Sequence, residues 1–308
     1  MAAFGYLLPT RDHAVRGDHE VLPLVRQARL AETLGFDSVW AGDSPVTRQR
    51  ADPLLVLAAA AAVTERVTLG TAVLLPALRH PVLLAHQLAT LDRLAEGRLV
   101  VGMGGGFPHP NTEAQFTAVG VDPRSRVSRM VESVDALRRL WTSTGVSFHG
   151  RHFTFDDVTI APRPVRPGGP PVWLAGSGDK ALRRVDRIAD GWLPYPPSRE
   201  TYARELASIR RPVTPALYAT VCVDEDPALA RKGLRVHIER YYNAPLEVVE
   251  TIQAVFAGPA RETASWLRSY LAAGARHIVV RLAADDHVAA LERFAGSVLP
   301  LLREGGRA

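Results

Sequence analysis

Apolar and polar positions along the chain switch repeatedly between two periods: short continuous apolar runs, and stretches with apolar residues three and four apart. Residues 4–8 form an apolar run, and 9–18 follow as a polar loop rich in turn residues. Residues 21–34 have helical periodicity and stop at Gly35, a residue suited to the left-handed position past a helix end. A second strand, 36–44, ends in polar residues. Asp52 and Pro53 open the next helix as N-cap and first-turn residue, and an alanine run carries it to Arg66. Residues 67–75 read as a third strand, and His80-Pro81 begins a helix through Leu94. The fourth strand, 99–103, runs directly into Gly104, Gly105 and Gly106.

The regularity breaks between Pro108 and Pro171. The pattern there predicts a loop around Pro108 and Pro110, a helix over 124–141, a hairpin within 146–160 and a proline-rich segment. These residues lack the apolar content for a core of their own, so they read as an insertion over one mouth of the sheet, within a single domain spanning 1–308. Alternation then resumes with strands over 172–175, 190–193, 216–223 and 277–282. Helical stretches over 179–189, 200–209, 227–256, 260–273 and 286–302 lie between and after them. Eight strands alternating with helices require right-handed parallel crossovers and favour a closed (β/α)8 TIM barrel, with its largest insertion between strands 4 and 5.

In such a barrel the strand-to-helix loops share one face, so residues distant in sequence converge there. The residues at those strand ends are Thr10, Arg11, Asp43, Ser44, 74–79, 104–107, 176–180, 192–195, Asp224 and Arg281. They are poor in acid/base groups and rich in glycines and small polar residues, with a few cations. Three glycines after the fourth strand leave bare backbone against which a flat ligand can lie, although a loop needing positive φ explains them equally. Gly176, Ser177 and Gly178 precede a helix whose first turn holds Lys180. Backbone N–H groups, a hydroxyl and the positive end of a helix dipole suit an anion, whereas Asp179 opposes one and a plain N-cap at Ser177 is an equal reading.

Composition narrows the field. A chain of 308 residues that is 47% hydrophobic has material for a large core. One cysteine, Cys222, excludes an internal disulfide and a thiolate zinc cluster, which points to an intracellular, cytoplasmic protein. No leader pattern and no apolar run of roughly 18 residues appears, so no membrane segment is expected. The net charge of +5 and pI near 9.7 would allow an anionic partner, but the arginines are scattered through helices without interleaved aromatics, which argues against nucleic acid. No metal site is expected: there is no His-x-His or His-Glu-x-x-His, and His149 and His152 fall in the hairpin. A Gly-x-Ser-x-Gly elbow is absent, and the glycine strand fails the dinucleotide fingerprint because Phe107 stands at its sixth position.

Several segments in order carry a family likeness: Ala31-Glu-Thr-Leu-Gly-Phe-Asp-Ser-Val-Trp40, Asp52-Pro-Leu, Thr64-Glu-Arg-Val-Thr-Leu-Gly-Thr-Ala-Val73, His80-Pro81, Thr90-Leu-Asp-Arg-Leu94, Gly97-Arg98 with Gly102 to Gly106, Pro171-Val-Trp-Leu-Ala-Gly176 and Ala189-Asp-Gly-Trp192. With these the chain resembles the luciferase-like flavin-dependent oxidoreductases up to about residue 193; beyond it the likeness is architectural. The resemblance implies a barrel binding a flavin at its C-terminal mouth, with a cis peptide between Ala72 and Val73 under the ring. It also implies that Gly104 and Gly105 lie beside the cofactor, and that Gly176, Ser177, Gly178 and Lys180 form the phosphate site.

The leading expectation is a monooxygenase using reduced FMN, supplied by a separate flavin reductase, and O2 on a small organic substrate. The alternatives are an F420-dependent reductase or dehydrogenase working without O2, and a non-catalytic flavin-binding homologue. Relatives often carry histidine after the strand-two acid, where this chain has Asp43-Ser44, and a serine is no general base near neutral pH without a partner. Catalytic candidates are therefore Ser44, Asp43, His13 and His109, with His80 as a further mouth histidine. Apolar helices over 58–63 and 82–94 are expected to form a homodimer interface.

Overall fold

The protein is described by a computed structural model over residues 2–107 and 110–304. Its strands are β1 (Ala3–Leu7), β2 (Ser38–Ala41), β3 (Thr68–Thr71), β4 (Leu99–Met103), β5 (Val146–His149), β6 (Thr154–Val158), β7 (Val172–Leu174), β8 (Gly191–Trp192), β9 (Thr214–Val223), β10 (Val255–Gly258) and β11 (His277–Leu282). Its helices are α1 (Thr10–Val15), α2 (Leu22–Thr33), α3 (Pro53–Ala61), α4 (Pro81–Leu94), α5 (Pro110–Ala118), α6 (Arg126–Thr142), α7 (Asp179–Ile188), α8 (Arg199–Ala207), α9 (Pro227–Tyr242), α10 (Leu246–Glu250), α11 (Ala260–Ala272), α12 (His287–Ser297) and α13 (Leu299–Glu304). Parallel pairing runs β1-β2-β3-β4-β7-β8-β9-β11 and returns from β11 to β1, closing the expected eight-stranded TIM barrel. The long β9 pairs with β8 at Thr214 and Pro215 and with β10 from Thr220 to Val223, so β10 extends the sheet at the mouth.

Four segments depart from the expected pattern. The loop expected over 9–18 contains α1, whose Thr10, Arg11, Asp12 and His13 are all buried; tertiary packing overrides their turn propensity. A helix, α5, occupies 110–118 where a loop was expected. The stretch 227–256, expected to be helical, breaks at Asn243 in the left-handed region (φ 52°) and ends as β10. The last helix divides at Val298 into α12 and α13. Within the insertion, α6 packs along α4, and its Trp141 indole donates to Ala85 O at 3.1 Å. It is thus the barrel's own fourth helix, not part of a lid. The β5–β6 hairpin sits on its outer face, where the Glu132 carboxylate accepts from the amides of Arg151, His152 and Phe153.

Two tryptophans fill the lower bore. Trp40 of β2 and Trp173 of β7 pack with ring centroids 5.2 Å apart, and the His277 imidazole stands edge-on to both. Room for these rings comes from missing side chains: a Cβ on Gly5, Gly70 or Gly191 would overlap an indole. The Trp40 N–H donates to Ser38 Oγ at 2.7 Å, and that oxygen lies 2.7 Å from His277 Nε2. The serine oxygen keeps its proton and a second lone pair, so it donates to or accepts from Nε2 according to the imidazole tautomer.

At the opposite, N-terminal face lie several residues of the family-like segments. Glu32 accepts from the backbone amides of Glu65, Arg66 and Val67, and Arg98 donates to Thr64 O and Val67 O. Burial raises the Glu32 pKa, but these amides outweigh it and hold the carboxyl below its usual range. Such residues hold the turn into β3 and do not touch the mouth.

Burial pushes the His277 pKa from 6.5 down to about 4. The unfolded chain therefore binds a proton that the folded one refuses between these pH values, so stability is complete above pH 6.5 and falls as pH drops toward 4. The slope this residue contributes is about 1.4 kcal/mol per pH unit at most. Urea unfolding at stepped pH should show that slope shrink in His277→Gln; an unchanged slope would remove the imidazole from this role.

Candidate active site

Above the tryptophan layer the bore is uneven. On the β3, β4 and β7 side it presents Ala72, Val73, Gly104 and Ala175, small groups packed on one another: a Cβ at Gly104 would come within 2.7 Å of Val73 Cγ2 and 3.8 Å of Ala175 Cβ. The Ala72–Val73 peptide is cis, as the family likeness implied. Ala72, Val73, Ala175 and Gly176 are only partly buried, so this wall is open to the mouth. The other side is large and polar. Tyr218 of β9 and Arg281 of β11 continue the inward-facing rows that begin with Ala216 and Val279. Arg281 is 1% exposed, and its Nη2 meets Asp12 Oδ1 at 2.6 Å.

Gly176 and Gly178 both have positive φ, and Gly178 is the N-cap of α7. Ser177, Gly178 and Lys180 are exposed beside it, so the segment keeps the form of an anion-binding turn. One of its amides is already engaged, since Gly178 N–H donates to Glu205 Oε1 of α8 at 3.0 Å. Gly105 faces elsewhere: a Cβ there would press on Val127 of α6 at 2.9 Å, so its bareness makes room for a helix.

Of the catalytic candidates, Asp43 and Ser44 lie at the mouth beyond β2, both buried. Asp43 accepts from Leu75 N at 3.0 Å and from Arg79 Nη1 at 2.5 Å, which ties the β2 loop to the β3 loop. The Ser44 hydroxyl donates to Gln115 Oε1 of α5 and accepts from the Arg48 amide, each at 3.0 Å. Its single proton is thereby engaged with α5, and it ties that helix to the loop after β2. The buried His13 ring lies 6.1 Å from that of His287, tilted by 31°, and its Nδ1 is 3.0 Å from Asp18 Oδ2. His80 caps α4 by accepting from Val82 N and packs edge-on to Phe153. Burial and Arg129 lower its pKa, consistent with a neutral acceptor. His109 lies outside the described residues. Among the described residues no group of three or more His, Cys, Asp or Glu is placed to hold a metal ion.

Sequence reasoning placed Arg11 and Arg281 at the mouth but missed what gathers around them. The end of α9 brings Tyr241 and Tyr242 against the loops after β1 and β2, where the guanidinium carbons of Arg281, Arg11 and Arg50 lie 3.8, 4.9 and 5.8 Å from the Tyr241 ring. Arg48 lies 5.5 Å from the Tyr242 ring. Arg11 Nε donates to Tyr241 O at 2.7 Å and Arg50 Nη1 to its hydroxyl at 3.3 Å.

The barrel, its bare-walled mouth and the glycine turn before α7 have the layout of TIM-barrel enzymes, whose active sites lie at the C-terminal ends of the strands. The chain belongs to the luciferase-like monooxygenase family, whose model matches residues 2–295. An F420-dependent glucose-6-phosphate dehydrogenase of Intrasporangium calvum is 31% identical over 91% of this chain and 94% of its own. An F420-dependent hydroxymycolic acid dehydrogenase of Mycobacterium tuberculosis is 30% identical over 96% and 91%. Among solved structures, monooxygenase RslO1 from Streptomyces bottropensis superposes with a TM-score of 0.83 at 26% identity, covering 97% of this chain and 99% of that one. An F420-dependent secondary alcohol dehydrogenase shares the fold with a TM-score of 0.81 at 22% identity, over 98% and 99%. The leading expectation of FMN and O2 gains no support from the two dehydrogenases, whose F420 dependence favours the deazaflavin alternative.

Asp43→Ala leaves the part-buried Arg79 with only the more exposed Asp52 and frees the Leu75 amide. The expected cost is about 3 kcal/mol by denaturant unfolding. A loss below roughly 1 kcal/mol would show that the pair does not hold the two loops.

Proposed function

We propose that the protein is an F420-dependent oxidoreductase that moves a hydride to or from a small organic substrate without O2. The observation that carries this is the agreement of whole-length relatives, at 31% and 30% identity, on F420-dependent dehydrogenation. The residues present fit such a group: the Ala72–Val73 bulge and bare Gly104 offer a flat apolar support, and the Gly176–Lys180 turn offers amides and a cation to a phosphate. The cofactor, when bound, supplies or accepts the hydride at one ring carbon. Gly176, Ser177, Gly178 and Lys180 hold its phosphate, Ala72 and Val73 carry its ring, and the apolar walls of Leu193 and Val73 keep water from it. Asp43 and Ser44 position loops in this reading.

Anaerobic titration of the purified protein with reduced F420 and reduced FMN tests it. F420 is expected to bind more tightly; under argon, a substrate that is oxidised should bleach the absorbance of oxidised F420, and one that is reduced should restore it from reduced F420. Tighter FMN binding with O2 consumption would reverse the assignment in favour of an FMN monooxygenase with a reductase partner, the reading that the 26% identical RslO1 supports.

We also propose that two copies meet through α3 and α4. Leu55, Leu83 and Leu94 on these helices are 73%, 64% and 54% exposed, and Leu54, Ala58 and Leu91 line the groove between them. Light scattering should give a dimer for the natural chain and a monomer for Leu55→Glu with Leu94→Glu. A natural chain that is already monomeric contradicts the pairing. No helix among the described residues is long and apolar enough to cross a membrane.

A further inference from the structure

Around Tyr241 and Tyr242 four arginines gather at the mouth, and among the described residues Asp12 is the one carboxylate paired with any of them. Of the four arginines there, Arg281 is paired with Asp12, whereas Arg11, Arg48 and Arg50 form no ion pair among the described residues. Arg11 is 8% exposed. Nε and Nη1 of the fully buried Arg281 find no hydrogen-bond partner among the described residues. Packing like charges at reduced solvation costs free energy unless a counter-charge joins them. Both neighbours register that charge. Burial, then Arg50 and Arg48, push Arg11 down to about 10 despite the tyrosines. At Tyr241 burial acts upward, but Arg50, Arg281 and Arg11 outweigh it and lower the phenol.

Position separates this cluster from the cofactor phosphate turn. It stands over β11, β1 and β2, while the Gly176–Lys180 turn follows β7, and β1 lies four places from β7 either way round the ring of eight. The loop that carries Arg48 and Arg50 is fastened by Ser44, whose hydroxyl accepts the Arg48 amide. Ser44 thereby fixes the loop that presents the two arginines.

We infer that Arg11, Arg48 and Arg50, backed by Arg281 and the two tyrosines, form a second anion site across the mouth, taking the phosphate or carboxylate group of the substrate. The substrate assignment rests on the hydride-transfer reading, whereas anion binding itself does not. The cofactor's own acidic tail is the other source of the same chemistry.

The test uses the apo protein and inorganic phosphate. In Ser177→Glu, whose new carboxylate closes the turn before α7, phosphate should still raise Tm saturably. Adding Arg48→Met and Arg50→Met should weaken that response by roughly tenfold per arginine. Without phosphate the triple variant should melt no lower than Ser177→Glu, because like-charge repulsion has been relieved. Absence of a saturable rise in Ser177→Glu, an undiminished rise in the triple variant, or a lower Tm of that variant without phosphate each overturns the site. In the natural chain, phosphate binding that persists under saturating F420 assigns the site to the substrate. Mutual exclusion that depends on Arg48 and Arg50 overturns that assignment in favour of the cofactor's tail. Failure of F420 to bind at all would sink the proposed function while leaving the apo result standing.

Discussion

Close packing of two indoles and an imidazole in the lower bore is the constraint on which the mouth rests. A barrel of eight strands has to be filled by side chains, and here Trp40, Trp173 and His277 supply the bulk in one layer. Glycines at 5, 70 and 191 give up their side chains so that the rings fit. With so much volume spent low down, the next layer on the β3, β4 and β7 side can be built from Ala72, Val73, Gly104 and Ala175. The result is a shelf, packed from below and nearly bare above.

Polar groups then divide the rim. Over β7 the turn before α7 offers amides, and Glu205 already accepts one of them, so an arriving phosphate meets a carboxylate competitor. Across the bore, Asp12 and Arg281 form a buried pair that fixes the floor of the basic cluster. Asp43 and Arg79 lock the β2 and β3 loops between these two regions. A hydride carrier on the shelf would thus have one charged anchor at its back and a charged recognition surface in front of it. Such an arrangement orients a substrate without asking any side chain at the β2 end to act as a base.

Much of the scaffold was legible from the chain because its signals are local. Each barrel strand is a short apolar run next to a turn residue, Asp52 and Pro53 announce α3, and the family-like segments point to the cis peptide at Ala72–Val73. Elements stabilised by distant contacts were not. Residues 10–15 look like a loop until Arg11 and Asp12 are buried against α9 and β11, and Val255 to Gly258 is too short an apolar run to be told from a helix end. The basic cluster was hidden for a related reason. Arg11 and Arg281 were legible as strand-end cations, but Arg48 and Arg50 carry no local signal, and only closure of the barrel and the return of α9 bring the four together. Gly105 shows the converse, a glycine that looks ligand-facing in sequence and meets Val127 in the fold.

The central claim is that the shelf carries the ring and the turn before α7 carries the phosphate, leaving the arginines to the substrate. A crystal structure of the protein with F420 bound tests this most directly. The account predicts the ring against Ala72, Val73 and Gly104, the phosphorus within hydrogen-bond reach of the 176–180 amides with Glu205 displaced from Gly178, and Arg48 and Arg50 free of cofactor. A phosphate held by Arg48 and Arg50, or a ring lying away from the Ala72–Val73 bulge, would contradict it.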